Sequence, residues 1–200
     1  MARWQRTLAN PIPLGLMGVG VSTLYFGMAL AGWFETQESE AVILPLFVFT
    51  AGMATFLAAI LSFVRGHTFY MTLFLGYSGL WMTRAVAAII AQISPVLSAT
   101  SDAGETFLAA AWFIFTVFMY LGSLIQSFLL QIALLLQSVG ALLQTIGYAV
   151  GTVPFLNAPK KVSGYFFIVS GFLMILVSGV EVNIHPAASM DHVHKPLIPF

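Results

Sequence analysis

Long apolar runs separated by short polar breaks divide the sequence into six segments. The runs cover residues 12–34, 41–64, 69–93, 105–125, 127–150 and 162–182. Each run reaches the length of about 20 residues that an α-helix needs to cross the hydrocarbon core of a bilayer. The pattern predicts an all-α integral membrane protein whose six-transmembrane-helix bundle fills residues 1–184. Residues 185–200 are predicted to form a short C-terminal tail.

The composition supports a chain that lives in a lipid bilayer. Of its 200 residues, 60% are hydrophobic and only 7% are charged, whereas a soluble domain carries about a quarter charged residues. The formal net charge is zero, which gives no electrostatic reason to expect nucleic acid as a partner. Cysteine is absent, and the sequence has no nucleotide-binding or paired metal-ligand motif. We therefore predict no cofactor and no bound metal.

The first apolar run also has two features of a secretory signal peptide. Arg3 and Arg6 precede it, and Ala29-Leu30-Ala31 resembles a small-residue cleavage site. However, the run is longer than the roughly 7 to 15 residues of such a peptide's apolar region, and it contains Pro11 and Pro13. The first run is therefore expected to remain as a membrane span.

The distribution of basic residues predicts the orientation. With six spans, both chain ends lie on one side of the membrane. That side holds Arg3, Arg6, Arg65 and Lys195, and the opposite side holds Lys160 and Lys161. Because positively charged loops stay cytoplasmic, both termini are expected in the cytoplasm, with the protein in the inner or plasma membrane.

A short motif in the third run suggests an enzyme, but its setting argues against one. Gly76-Tyr77-Ser78-Gly79 has the GxSG form of an intramembrane serine protease nucleophile. Such a serine needs a base within hydrogen-bonding distance, and no histidine lies in a predicted span. Close helix packing by small residues is the better interpretation. The tail histidines His185, His192 and His194 are expected to be solvated rather than to bind metal.

Glu105 stands at the boundary of the fourth run and is assigned to the outer loop before it. Two other charged side chains fall within predicted spans, where charge is costly and usually functional. Arg84 lies deep in the third run, where it either extends towards the surface or holds a permeating anion. Glu181 lies at the end of the sixth run, close enough to the surface to reach water. It is either an interfacial partner or a residue that carries a proton.

The fifth run carries a regular stripe of amides. At 100° per residue, one face of this helix collects Gln126, Leu130, Ala133, Gln137, Gly140, Ala141, Gln144 and Tyr148. Amides on a membrane helix must face protein or water rather than lipid. Two interpretations stay open, namely hydrogen bonding between helices and the wall of a pore. Small residues also line faces of the first, third and sixth runs, among them Gly15, Thr83 and Gly171, which predicts a closely packed bundle.

Three stretches resemble the acetate uptake transporter family, also called the succinate/acetate permeases. Residues 10–16, NPIPLGL, match its NPxPLGL signature. Residues 66–69 and 77–83, GHTF and YSGLWMT, resemble its GNTFG…SYGSFWLT stretch, and residues 112–122, WFIFTVFMYLG, resemble its WGVFTLFMFFG segment. Glu181 matches an acid that ends the family's last helix. The resemblance covers nearly the whole chain.

This resemblance implies a six-helix protomer with its own pore, assembly into a homo-oligomeric hexamer, and passage of small monocarboxylates and dicarboxylates such as acetate and succinate. Tyr77 falls on the tyrosine of the family's narrow apolar waist. Val19 replaces a common phenylalanine there, Gln137 replaces a common leucine, and Arg84 also stands at an apolar family position. A wider and more polar waist would pass a larger or more polar solute than acetate.

Taken together, the stripe and the resemblance predict a substrate pathway. Its residues are Asn10, Pro11, Pro13, Leu14, Gly15, Val19, Tyr77, Thr83, Gln137 and Gln144, with Arg84 and Glu181 in charge or proton roles. Asn10 can cap the first helix, and unpaired N–H groups at a helix start attract anions. A carboxylate must be compensated for its lost water, and Tyr77 and Gln137 are the predicted donors at the waist. The rival functions are a channel for a small neutral or cationic solute such as ammonia, and a membrane interaction protein that transports nothing.

Overall fold

The computed structural model describes residues 9–34, 42–93, 102–150 and 158–184. Several expectations concern residues outside these ranges. They are the tail over 185–200 with its three histidines, the basic residues Arg3, Arg6 and Lys195, and the polar breaks that contain Glu35 and Pro154.

Six helices in the described residues are long and apolar enough to cross a membrane, which confirms the predicted fold class. They are α1 (Ile12–Ala31), α2 (Val42–Val64), α3 (Thr68–Ile93), α4 (Asp102–Gly122), α5 (Phe128–Ala149) and α6 (Ala158–Ile184). A 3₁₀ turn over Ser123–Ile125 extends α4.

The ends of the helices differ from the sequence-based boundaries where local chemistry intervenes. Gly32 takes the left-handed conformation with a φ of 80° and donates its N–H to the carbonyl of Ala29, so α1 ends there rather than at residue 34. Glycine adopts this conformation without steric cost and commonly ends helices in this way. Glu105, expected in an outer loop, lies inside α4, and Gln126 lies just before α5.

The first half of α2 is wound as a π-helix over Leu46–Ala54. Such winding is rare over this length, and it changes which carbonyls are available to neighbours. Thr55 donates its hydroxyl to the carbonyl of Ala51, and Ser78 of α3 donates its hydroxyl to the carbonyl of Gly52 at 2.9 Å. A buried hydrogen bond therefore links the π-helical segment of α2 to α3.

Each helix packs against its neighbour in sequence, and contact between α1 and α6 closes the circle. The α1–α6 contact is the most extensive of all and depends on small residues. Gly20 faces Gly171, and Gly27 faces Gly164. At the same seven-residue interval, the hydroxyl of Ser178 donates to the carbonyl of Pro13 at 2.8 Å. Residues without side-chain bulk let the two backbones meet directly.

Candidate functional site

The start of α1 and the end of α6 meet at one face of the bundle, called here the terminal face. The amide of Asn10 donates to a carboxylate oxygen of Glu181 at 3.4 Å, and its own oxygen accepts the N–H of Ile12 at 3.2 Å. The N-cap position is Pro11 rather than Asn10, the residue predicted from the sequence. Asn10, one residue earlier, bonds both the first helical N–H and the acid. Across this face, the hydroxyl of Tyr70 donates to the side-chain oxygen of Gln126 at 3.2 Å.

The helix start offers fewer backbone donors than its sequence suggests. Pro11 and Pro13 have no N–H, the N–H of Ile12 is bonded to Asn10, and that of Gly15 is bonded to the carbonyl of Pro11 at 3.1 Å. Of the first-turn donors in this described segment, only the N–H of Leu14 has no such bond. An anion at this face would also meet the carboxylate of Glu181, so the helix dipole is opposed by a nearby acid.

An apolar cluster lies deeper in the bundle. Its members on the inward faces of α1, α3 and α5 include the fully buried Leu16, Val19, Phe74, Tyr77, Leu130 and Leu134. Along α1, α3 and α5 these residues lie further from the helix starts than the residues of the terminal face do. The ring of Tyr77 stands edge-on to Trp112 with 4.8 Å between centroids. Its hydroxyl has no hydrogen-bond partner in the described part of the chain.

Beyond the apolar cluster lies a narrow pocket, called here the polar pocket. Its polar lining comes from Thr23, Arg84, Gln137 and Gln144, and its aromatic lining from Phe26, Trp81, Trp112 and Phe167. The polar members come from α1, α3 and α5, so the pocket lies inside the ring of helices. It combines an apolar wall with a few placed polar groups, as small-molecule sites do.

The amide stripe of α5 faces this interior, as its periodicity predicts. The amide nitrogen of Gln137 donates to the hydroxyl of Thr23 at 3.2 Å, and the hydroxyl of Ser170 lies 3.5 Å from the amide oxygen. Gln137 also lines the polar pocket. The two interpretations of the stripe are therefore compatible, because one side chain both links helices and borders the pocket.

Two further donors of the polar pocket have no bonding partner among the residues described. They are the indole N–H of Trp81 and the amide nitrogen of Gln144, in side chains that are each 2% exposed. A buried N–H without a partner costs free energy. Both groups are therefore suited to receive an oxygen atom from a bound solute.

Arg84 is ion-paired rather than extended towards the surface. Its Nη2 lies 3.3 Å from a carboxylate oxygen of Glu105 on α4, and its guanidinium carbon lies 5.0 Å from the ring centre of Phe26. The arginine side chain is 17% exposed and the glutamate side chain 24%. The guanidinium of Arg84 therefore lies at the polar pocket, with the carboxylate of Glu105 next to it.

Other residues of the predicted pathway are placed elsewhere. Leu14 is 42% exposed on the outside of α1. Gly15 is buried against the ring of Phe74 and acts in packing. Thr83 is exposed and is not part of the pocket lining. Ser78 of the GxSG motif is buried and bonded to Gly52, so it packs helices rather than faces a base.

Several lining residues were not singled out from the sequence, although spacing points to some of them. Thr23 follows Val19 by one helical turn, and Trp81 follows Tyr77 by one turn, so each shares the face of a predicted pathway residue. Phe167, which lines the pocket, and Glu105, which pairs with Arg84, carried no such signal. Their place depends on how α4 and α6 pack.

Known proteins match this chain over most of its length. A model described as the GPR1/FUN34/yaaH family matches residues 1–190. The succinate-acetate/proton symporter SatP of Escherichia coli (strain K12) is 31% identical over 178 residues, which are 88% of this chain and 89% of that protein. Ammonia transport outward protein 3 of Saccharomyces cerevisiae is 29% identical over 167 residues, covering 81% of this chain and 58% of the yeast protein.

The fold also matches a solved structure, that of the bacterial acetate channel SatP. The TM-score is 0.80 with 27% sequence identity, and the match covers 96% of this chain and 99% of the other.

Proposed function

Because the chain belongs to the GPR1/FUN34/yaaH family, we propose that it is a membrane transporter or channel for small carboxylates, with acetate and succinate among its solutes. It is not an enzyme. The observation that carries the proposal is the match to the acetate channel SatP over 96% of the chain. That match includes the helices that build the apolar cluster and the polar pocket.

The proposed pathway runs along the ring interior from the terminal face to the polar pocket. Asn10 and Glu181 border its entrance, the apolar cluster forms its waist, and Gln137 marks the start of the pocket. A carboxylate that enters loses hydration and needs donors in return. The unpartnered hydroxyl of Tyr77 is suited to supply one at the waist. Val19, fully buried in the same cluster, is proposed to limit the width there.

Proton coupling is proposed to involve Glu181. The acid contacts Asn10 at the entrance, where a passing carboxylate and a carboxylate side chain would repel each other. Protonation of Glu181 removes that repulsion, so proton binding favours anion entry. A Glu181→Gln variant is expected to keep carboxylate flux but to lose its acceleration by an inward proton gradient.

Assembly and placement follow from the family resemblance. We propose a homo-oligomer, a hexamer in particular, with both termini on the cytoplasmic side of the inner or plasma membrane. The contact between Asn10 and Glu181 supports a shared side for the first and last helix ends. Light scattering of the purified protein tests the oligomer, and protease access to tags at each terminus tests the orientation.

Competition in reconstituted liposomes tests the solute class. Uptake of radiolabelled acetate is expected to fall when succinate, lactate or formate is added outside. With the internal pH held constant by strong buffer and nigericin, an equal concentration of ammonium chloride is expected to leave the initial rate unchanged. Absence of competition by every carboxylate would overturn the proposal.

An ammonia channel is the second candidate, and the similarity to the yeast ammonia transport protein favours it. The polar side chains of Gln137 and Thr23 at the pocket can also bind a neutral donor. In that case stopped-flow alkalinisation of liposomes by ammonia would be faster than in protein-free liposomes and insensitive to added carboxylates.

A further inference from the structure

Arg84, which pairs with Glu105 at 3.3 Å, lines the polar pocket at a position where the family resemblance expects an apolar residue. Removing two charges from water is costly, and well-packed apolar residues are often as stable as an ion pair in such a place. Stability alone therefore does not account for the pair. Charged groups within membrane segments usually serve function, and the polar pocket is the feature that Arg84 lines.

The donors around Arg84 are only partly used. A guanidinium carries five N–H donors, and a single hydrogen bond joins Arg84 to Glu105, at 3.3 Å. Trp81, three residues earlier on α3, and Gln144 on α5 each keep a buried N–H without a partner in the part of the chain that the structure describes. An oxygen-rich anion is the ligand that satisfies all three side chains.

We propose that Arg84, Trp81 and Gln144 form a binding site for a small carboxylate with a second polar group, such as succinate or lactate, and that Glu105 is the internal competitor that this ligand displaces. The ligand carboxylate replaces the carboxylate of Glu105 on the guanidinium. Its second oxygen group accepts from both the indole of Trp81 and the amide of Gln144. This inference rests on the proposed function, because it takes the ligand from the proposed solute class.

The apolar lining has the chemistry that the same ligands need. Phe26 and Phe167 line the pocket beside the donors, and their rings lie 5.6 Å apart. These rings supply an apolar surface for the methyl group of lactate or the methylene groups of succinate. Acetate has no second polar group, so it leaves one of the buried donors without a partner. The site is therefore expected to prefer succinate and lactate to acetate.

Ligand binding to the purified full-length protein in detergent tests the site without depending on transport. Thermal stabilisation is measured during titration with succinate, lactate and acetate. Arg84→Met is expected to weaken succinate binding about tenfold or more, because a charge-assisted hydrogen bond is lost. Glu105→Gln is expected to strengthen it, since the competitor loses its charge. Gln144→Leu is expected to reduce the preference for succinate over acetate.

Lys161→Met is the matched control, because Lys161 is an exposed cation of α6 that does not line the pocket. It is expected to bind succinate as the unaltered protein does. If Arg84→Met does not fold, the double variant Arg84→Met with Glu105→Met removes both charges together. The proposal is overturned if Arg84→Met, or the double variant in its place, binds succinate with an affinity within about twofold of that of the unaltered protein. It is also overturned if Glu105→Gln weakens succinate binding.

Acetate uptake into liposomes, measured on the same preparation, separates this inference from the proposed function. If the protein takes up acetate but Arg84→Met does not weaken succinate binding, the proposed site is wrong and the proposed transport function stands. Succinate binding that depends on Arg84, without flux of any carboxylate, supports the site and overturns the transport function.

Discussion

Gly20 and Gly171 touch through their backbones. A methyl group built on Gly171 would lie 2.6 Å from the carbonyl oxygen of Gly20, and one built on Gly20 would lie 2.8 Å from the carbonyl oxygen of Gly171. Seven residues further along α1, Gly27 meets Gly164 in the same way at 2.6 Å. These pairs place α1 directly against α6, and so they hold the ring of helices closed around the apolar cluster and the polar pocket.

Gly171→Ala is expected to destabilise the bundle, because the new methyl group meets backbone atoms that cannot turn aside. Overpacking of this kind costs about 1–3 kcal/mol. Gly79→Ala is the matched control, since a methyl group there meets no atom of the described residues within 4 Å. Thermal unfolding in detergent should show a lower midpoint for Gly171→Ala only. Equal midpoints would contradict the close α1–α6 contact.

Gln137 and Thr23 are expected to be energetically coupled through their 3.2 Å hydrogen bond. Gln137→Leu and Thr23→Val should each destabilise the protein by about 1 kcal/mol, the usual value for one such bond. The double variant should lose less than the sum of the two, because the same bond is removed only once. A double-mutant cycle of unfolding free energies checks this. Strict additivity would show that the amide and hydroxyl do not interact.

Tyr77→Phe separates the role of the tyrosine hydroxyl in stability from its role in transport. The hydroxyl is buried without a partner in the described residues, so its removal should leave the unfolding midpoint unchanged or raise it. Acetate flux should fall about tenfold if the hydroxyl donates to the passing carboxylate, because hydrogen bonds to charged groups are the strong ones. An unfolding midpoint and an initial uptake rate are measured on one preparation. Unaltered flux would remove Tyr77 from the proposed waist donors.

Val19→Phe tests the width of the waist. Val19 is fully buried in the apolar cluster, and a ring there narrows the pathway towards the arrangement common in the family. The flux of succinate should fall more than that of acetate, because the longer acid has less room. Leu14→Phe serves as a control, since Leu14 is 42% exposed on the outer side of the same helix. The ratio of succinate to acetate uptake should change in Val19→Phe alone.

The six helices could be predicted from the sequence because span length and apolar composition are local properties. The inward face of α5 was also predictable, since the spacing of Gln137 and Gln144 places both on one side of the helix. Both side chains are buried in the structure and line the pocket. Family motifs then directed attention to Tyr77, which lies in the apolar cluster.

Rotations and pairings of helices could not be predicted in the same way, because they depend on contacts between distant segments. Thr83 shares a stripe of small residues with Gly79, yet both are exposed. Glu105 was assigned to a loop, and only the packing of α4 near α3 brings it to Arg84. Gly20, which contacts α6, was not singled out from the sequence, whereas Gly15, which was, contacts Phe74 of α3.

The initial rate of radiolabelled acetate uptake into liposomes containing the purified protein tests the central claim most directly. It is measured at neutral pH, where most of the acid is ionised, beside protein-free liposomes of the same lipid. We predict uptake well above the protein-free rate, saturation with acetate concentration, and inhibition by external succinate. A rate equal to that of protein-free liposomes, from protein whose helical content and unfolding midpoint show that it is folded, would contradict the account.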